Sequence, residues 1–281
     1  MQLIHSTGLH RPDPAKLARR KPLLAHPRFA SGTPRGSAML EMPDVLDQGQ
    51  TSTCPGHSFS VTLWCALKAL GIASPIIASP KSIMSLTYSR VRKNESVPGG
   101  DFPMLLDTGA DLSDVSAVGA SWGVAPILAP TSDGRNSDVE AMGLNGIPLI
   151  AGGQFPEPDT RQIQIAGSDL ISGEYSIPVD NDIDLACALL LDAGVPIWIG
   201  GPVAQPYEDL GPSQVATGAD TVGGAGHAQG IRGYQTTPQG RQYRVRGSWN
   251  KTWADHGEVW ADPSFLLSLW MAWPMAVKVS S

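Results

Sequence analysis

The sequence predicts an α+β fold of two lobes, a helical lobe first and an antiparallel β-barrel-like lobe after it. Three observations carry this. Helical spacing comes early: Phe59, Leu63, Leu67 and Leu70 form one apolar stripe. Strand-type alternation comes late, with Tyr243, Val245 and Gly247 set against Gln242, Arg244 and Arg246. Among 281 residues, 31 Gly and 24 Pro impose many turns and short elements. The expected division is an extended arm over 1–43 and a single body over 44–281. Within the body, the helical lobe covers about 44–130 and the β-rich lobe about 131–281.

Each element follows from local signals. Residues 1–43 are polar, basic and Pro-interrupted, and read as an arm that packs on the body or stays mobile. The first helix is expected over 55–70 with Cys54 at its N-terminus. Pro55 suits its first turn, where a missing N–H costs nothing, and Gly71 is its stop. Further helices are expected over Ser82–Arg92 and Leu112–Trp122, the second ending at Gly123. Residues 131–180 are rich in Gly, Pro and Asp, and read as loops with brief strands at Ile147–Ile150 and Ile163–Ile165. Asp182–Ala193 makes a helix closed by Gly194, and Val195–Ile199 a short apolar strand. Residues 226–260 read as strands separated by turns. No fixed-period repeat of the solenoid kind is present.

Composition excludes several function classes. With 42% hydrophobic and 16% charged residues the chain is globular. Net charge is −6, and the only run of like charges is Arg19-Arg20-Lys21. Nucleic acid meets no long basic stripe and is not an expected partner. No apolar run approaches the roughly 20 residues that span a bilayer. Met1–His5 gives way to charged, Pro-rich sequence, so no signal-peptide core is read and synthesis is expected in the cytoplasm. Three cysteines, Cys54, Cys65 and Cys187, argue against a disulfide framework. There is no CxxC pair and the six histidines are scattered, so no metal is expected.

The chemistry concentrates in Asp47-Gln48-Gly49-Gln50-Thr51-Ser52-Thr53-Cys54-Pro55-Gly56-His57-Ser58. A cysteine at a helix N-terminus sits at the positive end of the dipole, which favours thiolate over thiol. Gln48, six residues earlier in a Gly-containing loop, is placed to fold its amide back beside the sulfur. That amide and the backbone N–H of Cys54 are suitable donors to a developing oxyanion.

This stretch resembles the active-site segment of the papain family of cysteine peptidases, Gln-Gly-x-Cys-Gly-Ser-Cys-Trp-Ala-Phe-Ser. Aligned without gaps, Gln48 falls on the oxyanion glutamine and Cys54 on the nucleophile, and Gly49 and Ser58 also match. Thr51 stands at the disulfide cysteine, Pro55 at the tryptophan and His57 at the phenylalanine. Two later blocks arrive in the family order. Gly226-His227-Ala228-Gln229-Gly230-Ile231-Arg232-Gly233-Tyr234 resembles the Gly-His-Ala-Val-x-x-x-Gly-Tyr strand, which implies His227 as the base. Gly247-Ser248-Trp249-Asn250-Lys251-Thr252-Trp253-Ala254-Asp255-His256-Gly257 resembles the Asn-Ser-Trp-Gly-x-x-Trp-Gly-Glu-x-Gly block. Asp107-Thr108-Gly109, the helix up to Trp122-Gly123-Val124, and Asp184–Gly200 are similar to segments of bacterial members. The resemblance covers about residues 40–265.

One departure bears on activity. The family's histidine-orienting asparagine falls on Gly247. Asn250, three residues on, and Trp249 are the remaining candidates for orienting the base or shielding it from water. Taken singly, Cys54 and His227 are more often core residues than catalytic ones, and family register reverses that preference. Cys65 and Cys187 read as core, His57 faces either core or cleft, and Trp249 and Trp253 suit packing as well as shielding.

The resemblance implies a cysteine-type peptidase of bacterial or phage type, hydrolysing peptide bonds through a Cys54 thioester with His227 as base and no cofactor. Its partner would be a polypeptide substrate. The alternative is a weakened or inactive member serving as a structural or binding component of a multi-subunit assembly, a phage particle included. The arm is shorter than the inhibitory prodomain of secreted members, and the missing signal-peptide core and missing disulfide fit an intracellular or particle-associated protein.

Overall fold

Before the first helix, the chain contributes two short strands, β1 (Lys21–Pro22) and β2 (Ser37–Met39). The structure is a computed structural model that describes residues 8–15, 21–22, 32–49, 51–75, 77–92, 96–97, 104–121, 154–156, 168–170 and 175–279. The expected strands at Ile147–Ile150 and Ile163–Ile165 lie outside these residues, as do Arg19, Arg20 and Trp122–Val124.

Helix α1 (Cys54–Ala69) begins at the cysteine, as its sequence signals require. Pro55 occupies the first turn, and Phe59, Leu63, Cys65, Ala66 and Leu67 are buried. It closes in a Schellman arrangement: Gly71 N–H donates to the Lys68 carbonyl at 2.9 Å and Ile72 N–H to that of Leu67 at 3.2 Å. The expected second helix is α2 (Pro80–Leu86), which widens into a π turn over Thr87–Val91. Ser79 caps it by accepting the Ser82 N–H at 3.1 Å.

Strands β3 (Ser96–Val97), β4 (Met104–Leu106) and β5 (Gln154–Pro156) form a small antiparallel sheet around α3 (Leu112–Ser121) in sequence. Then come β6 (Ser168–Leu170), β7 (Tyr175–Ser176) and α4 (Ile183–Asp192). Gly194 closes α4 in the manner of Gly71, through bonds from Gly194 N–H to Leu191 and from Val195 N–H to Leu190.

The main sheet is built from β8 (Ile197–Val203), β9 (Val215–Ala216), β10 (Ala225–Thr237), β11 (Gly240–Arg246), β12 (Glu258–Ala261) and β13 (Met271–Pro274). Short helices α5 (Gln205–Glu208) and α6 (Pro263–Leu267) lie in its connections, and β14 (Val277–Val279) follows it. The order is β13-β8-β10-β11-β12-β9, with β2 also paired to β10. The edge strands β13 and β9 are not joined, so the expected barrel-like lobe is an open seven-stranded sheet.

Two apolar clusters fill the molecule. One packs α1, α2 and α3 against Trp198, Ala228, Met271 and Trp273 of the sheet. Edge-on ring contacts, Phe59–Trp198 at 5.2 Å and Trp198–Trp273 at 5.6 Å, run through it. The other packs α4 and α6 with Tyr207 against Ile231, Tyr243, Val245, Trp249 and Trp253. Neighbours on β10 therefore serve opposite cores, as the pleat dictates. Arg244 and Arg246, on the alternate face of β11, do not face water. They are 7% and 8% exposed because Glu258 pairs with both.

Candidate active site

Cys54 is the first residue of α1 and fully buried. Its Sγ accepts the Gly8 N–H at 3.3 Å, and Cys54 packs in one cluster with Leu9 and Ala228. Ala228 follows His227 on β10, so the thiol and the strand of the candidate base meet at this point. The His227 ring is 1% exposed and lies flat on Trp249, with centroids 4.2 Å apart and planes at 23°. A flat aromatic face of this kind limits ring rotation and keeps water off one side of the imidazole.

Gln48 is fully buried and fixed on three sides. Its Oε1 accepts the Ser248 hydroxyl at 2.5 Å, its Nε2 donates to the Thr51 carbonyl at 2.8 Å, and its backbone N–H donates to the Ser248 carbonyl at 2.9 Å. A bridge between Asp47 and Trp249 completes the seam. The two motifs that meet here are about 200 residues apart in sequence. Asn250 is held within its own turn: its Oδ1 accepts the Thr252 N–H at 2.7 Å and hydroxyl at 2.5 Å. Its φ of 59° is that of a turn residue, and the turn explains why the carboxamide is committed locally.

His57 lies one turn into α1 and faces the interior. Its Nδ1 is 3.0 Å from the Thr53 carbonyl and 3.2 Å from the Thr53 hydroxyl. Burial pushes its pKa down to about 4. Cys65 and Cys187 are buried in the packed helices and their thiols are pushed up by burial. Among the described residues no group of three His, Cys, Asp or Glu side chains is placed to hold a metal ion.

Sequence reasoning missed the segment Gly8–His10. It runs between Ala110 and β10, with Leu9 in an isolated bridge to Ala110. Leu9 N–H donates to the Gly226 carbonyl at 3.0 Å, while His10 N–H and the Gly8 carbonyl pair with Ala110 at 3.0 and 2.9 Å. The approach is close: a Cβ at Gly8 would stand 1.9 Å from the Ser52 carbonyl oxygen, and one at Gly226 would stand 2.0 Å from that of Leu9. His10 anchors the far end. Its Nε2 lies 2.6 Å from the Thr108 carbonyl and so donates, which leaves Nδ1 to accept from Arg92 at 2.9 Å. These are main-chain contacts that no residue pattern announces.

The covered thiol differs from the thiolate expected at a helix N-terminus. Burial pushes the Cys54 pKa up to about 12, and the backbone donors of Ala228 and Gly8 offset only part of that. Asp107 adds to the rise. Its carboxylate accepts the Tyr88 hydroxyl at 2.7 Å and the Ser52 N–H at 2.6 Å, and burial raises its own pKa. The helix dipole is outweighed because the segment over the sulfur removes water from it.

No protein-family model and no curated protein matches this chain. Solved structures do. Xylellain, a cysteine protease from Xylella fastidiosa, superposes with a TM-score of 0.67 at 19% identity, covering 100% of this chain and 98% of its own. A proCathepsin B from Trypanosoma congolense gives 0.66 at 12% identity, over 98% and 87% of the two chains. Digestive procathepsin L 3 of Tenebrio molitor gives 0.59 at 14% identity, over 92% and 74%. The chain has the papain-like cysteine-protease fold.

Proposed function

We propose that this protein is a cysteine peptidase in which Cys54 is the nucleophile, His227 the general base and Gln48 an oxyanion donor. The observation that carries the reading is the packing of Cys54, at the start of α1, in one cluster with Ala228, the residue after His227 on β10. The Cys54 proton passes to His227 as the sulfur attacks the peptide carbonyl carbon. The oxyanion is held by the Cys54 N–H and the Gln48 amide. The C–N bond then breaks, His227 returns the proton to the leaving amine, and a thioester remains on Cys54. Water, deprotonated by His227, hydrolyses that thioester and releases the acid.

In this reading residues 8–10 cover the site and occupy the backbone slots that an extended polypeptide substrate would use. Turnover requires that segment to leave. Gly8→Ala tests this, because the added methyl collides with the Ser52 carbonyl and drives the segment off the sulfur. Gly8→Ala is expected to speed alkylation of Cys54 by iodoacetamide at least about tenfold and to reveal cleavage of an unfolded protein substrate. Gly8→Ala combined with Cys54→Ala is expected to cleave nothing. An uncovered protein that neither reacts at Cys54 nor cleaves would end the peptidase reading.

A second reading is favoured by the complete burial of Cys54 under the arm. The fold would then serve as a binding or structural component of a larger assembly, with the thiol kept protonated. That reading expects Gly8→Ala to lose stability and gain no reactivity.

A further inference from the structure

Thr51 is fully buried and bonded to Gln48 through both its backbone and its side chain. Its N–H donates to the Gln48 carbonyl at 3.2 Å and its hydroxyl to the same oxygen at 2.6 Å. In return, the Thr51 carbonyl accepts the Gln48 side-chain Nε2–H at 2.8 Å. The turn between them passes through Gly49, whose φ of 56° a residue with a side chain would resist. The Gln48 carboxamide thus has Oε1 on the Ser248 hydroxyl and one N–H on Thr51, which fixes its plane. An amide nitrogen carries two hydrogens, and with the plane fixed the direction of the second follows.

The Thr51 hydroxyl is itself held. Its oxygen lies 2.5 Å from the Thr53 hydroxyl, which lies 3.2 Å from His57 Nδ1. The hydrogens fix the direction of every bond. The Thr51 proton goes to the Gln48 carbonyl, so the Thr51 oxygen accepts the Thr53 proton. The Thr53 oxygen then offers His57 only lone pairs, so Nδ1 carries the ring hydrogen. The Thr53 carbonyl, 3.0 Å from the same nitrogen, demands the same tautomer. Burial keeps His57 neutral, so Nε2 holds a lone pair, and it meets no partner among the described residues. A buried ring nitrogen left unbonded costs stability. What the histidine supplies is the Nδ1–H, the first donor of a chain that ends on Gln48. Thr51, Thr53 and His57 are all 0% exposed, so water competes with none of its links.

We propose that Thr51, held in turn by Thr53 and His57, is the positioning residue that sets the Gln48 amide as an oxyanion donor; its catalytic consequence rests on the peptidase reading above. The test uses full-length protein carrying Thr51→Val, Thr51→Ser or Thr53→Val, each with and without Gln48→Ala. Turnover is measured in the Gly8→Ala background. Hydrogen exchange of the Gln48 side-chain amide and the His57 ring nitrogens are followed by 15N NMR, with Gln48→Ala assigning the amide.

Wild-type His57 is expected to carry its hydrogen on Nδ1. In Thr51→Val the Gln48 amide hydrogens should exchange at least about tenfold faster. kcat should fall between about tenfold and a hundredfold with KM unchanged, since the oxyanion forms only after binding. Thr51→Ser keeps the hydroxyl and should recover most of both losses. Thr53→Val cuts the chain one link further away and should move both readouts the same way, by less. In the Gln48→Ala background, Thr51→Val should lower kcat by less than about twofold more, because the group it positions is gone.

Unchanged amide exchange and kcat in folded Thr51→Val and Thr53→Val would overturn the proposal, and if Thr51→Val does not fold, Thr53→Val decides alone. A loss of kcat as large with Gln48→Ala as without it would also overturn it, since Thr51 would then act through some other group. So would a His57 ring that carries its hydrogen on Nε2. If the protein turns nothing over while Thr51→Val still frees the Gln48 amide, the peptidase reading falls and the positioning role stands.

Discussion

Three residues of one loop, Asn250, Ala254 and His256, have φ angles of 59°, 45° and 54°. Left-handed backbone costs an L-residue roughly 1–2 kcal/mol, less for Asn and His than for most. The loop tolerates this because it is closed from both sides: Gly257 N–H donates to the Trp253 carbonyl at 2.7 Å, and Gly247 N–H to that of Gly257 at 3.0 Å. The three positions differ in what a glycine would recover. The His256 side chain is 90% exposed, so His256→Gly loses almost no packing and is expected to stabilise by about 0.5–1 kcal/mol. The Ala254 methyl packs on the second core, and losing it offsets the relief, so Ala254→Gly should be close to neutral. Asn250 already uses its side chain to bond Thr252, and glycine there should gain nothing. Urea midpoints of the three variants test this ordering.

At the scale of elements, helix ends were the most legible feature. Gly71 and Gly194 follow apolar periodic runs, and both close Schellman motifs because glycine alone meets the backbone demand without strain. At Gly71 φ is 91° and a Cβ would meet nothing within 4 Å, so the cost of a side chain is conformational only. Gly71→Ala is expected to destabilise by about 1 kcal/mol at an unchanged denaturant slope. The alternation in β11 was equally plain, but its partner across the face was not. Glu258 lies 14 residues after Arg244 and 12 after Arg246 in sequence. Nothing local says that its carboxylate will sit between Arg232, Arg244 and Arg246. The arm was opaque for a related reason. Residues 8–10 are held by main-chain hydrogen bonds to Ala110 and Gly226, and backbone groups are the same in every sequence. The meeting of the Gln48 and Ser248 segments was legible because each stands in a motif of fixed spacing. The Tyr207–Gln229 hydrogen bond was not, since its partners lie 22 residues apart and nothing local brings them together.

For the molecule as a whole, two buried titratable groups, His57 and Glu258, make the fold sensitive to acid in different windows. His57 is held neutral by burial, with a folded pKa of about 4 against an ordinary 6.5. As pH falls from about 6.5 towards 4, the unfolded chain takes up this proton before the folded one does, so stability is lost there, on the order of 3 kcal/mol in all. Glu258 acts lower. Burial alone would raise its pKa, but hydrogen bonds and charge from Arg232, Arg246 and Arg244 outweigh that and take it from 4.5 to about 2. Its contribution, of similar size, is complete above about 4.5 and disappears as pH falls through 2. Of these two groups His57 acts first on acidification, and its window overlaps little with that of Glu258. Urea unfolding of the wild type between neutral pH and about 4.5 should show a falling midpoint, and His57→Gln should flatten that slope whatever its effect on stability at neutral pH. Glu258→Gln should instead lower stability at neutral pH by leaving three arginines around a neutral amide, and keep the His57 slope intact. A wild-type midpoint that stays level down to pH 4.5 would place the His57 imidazole in contact with water.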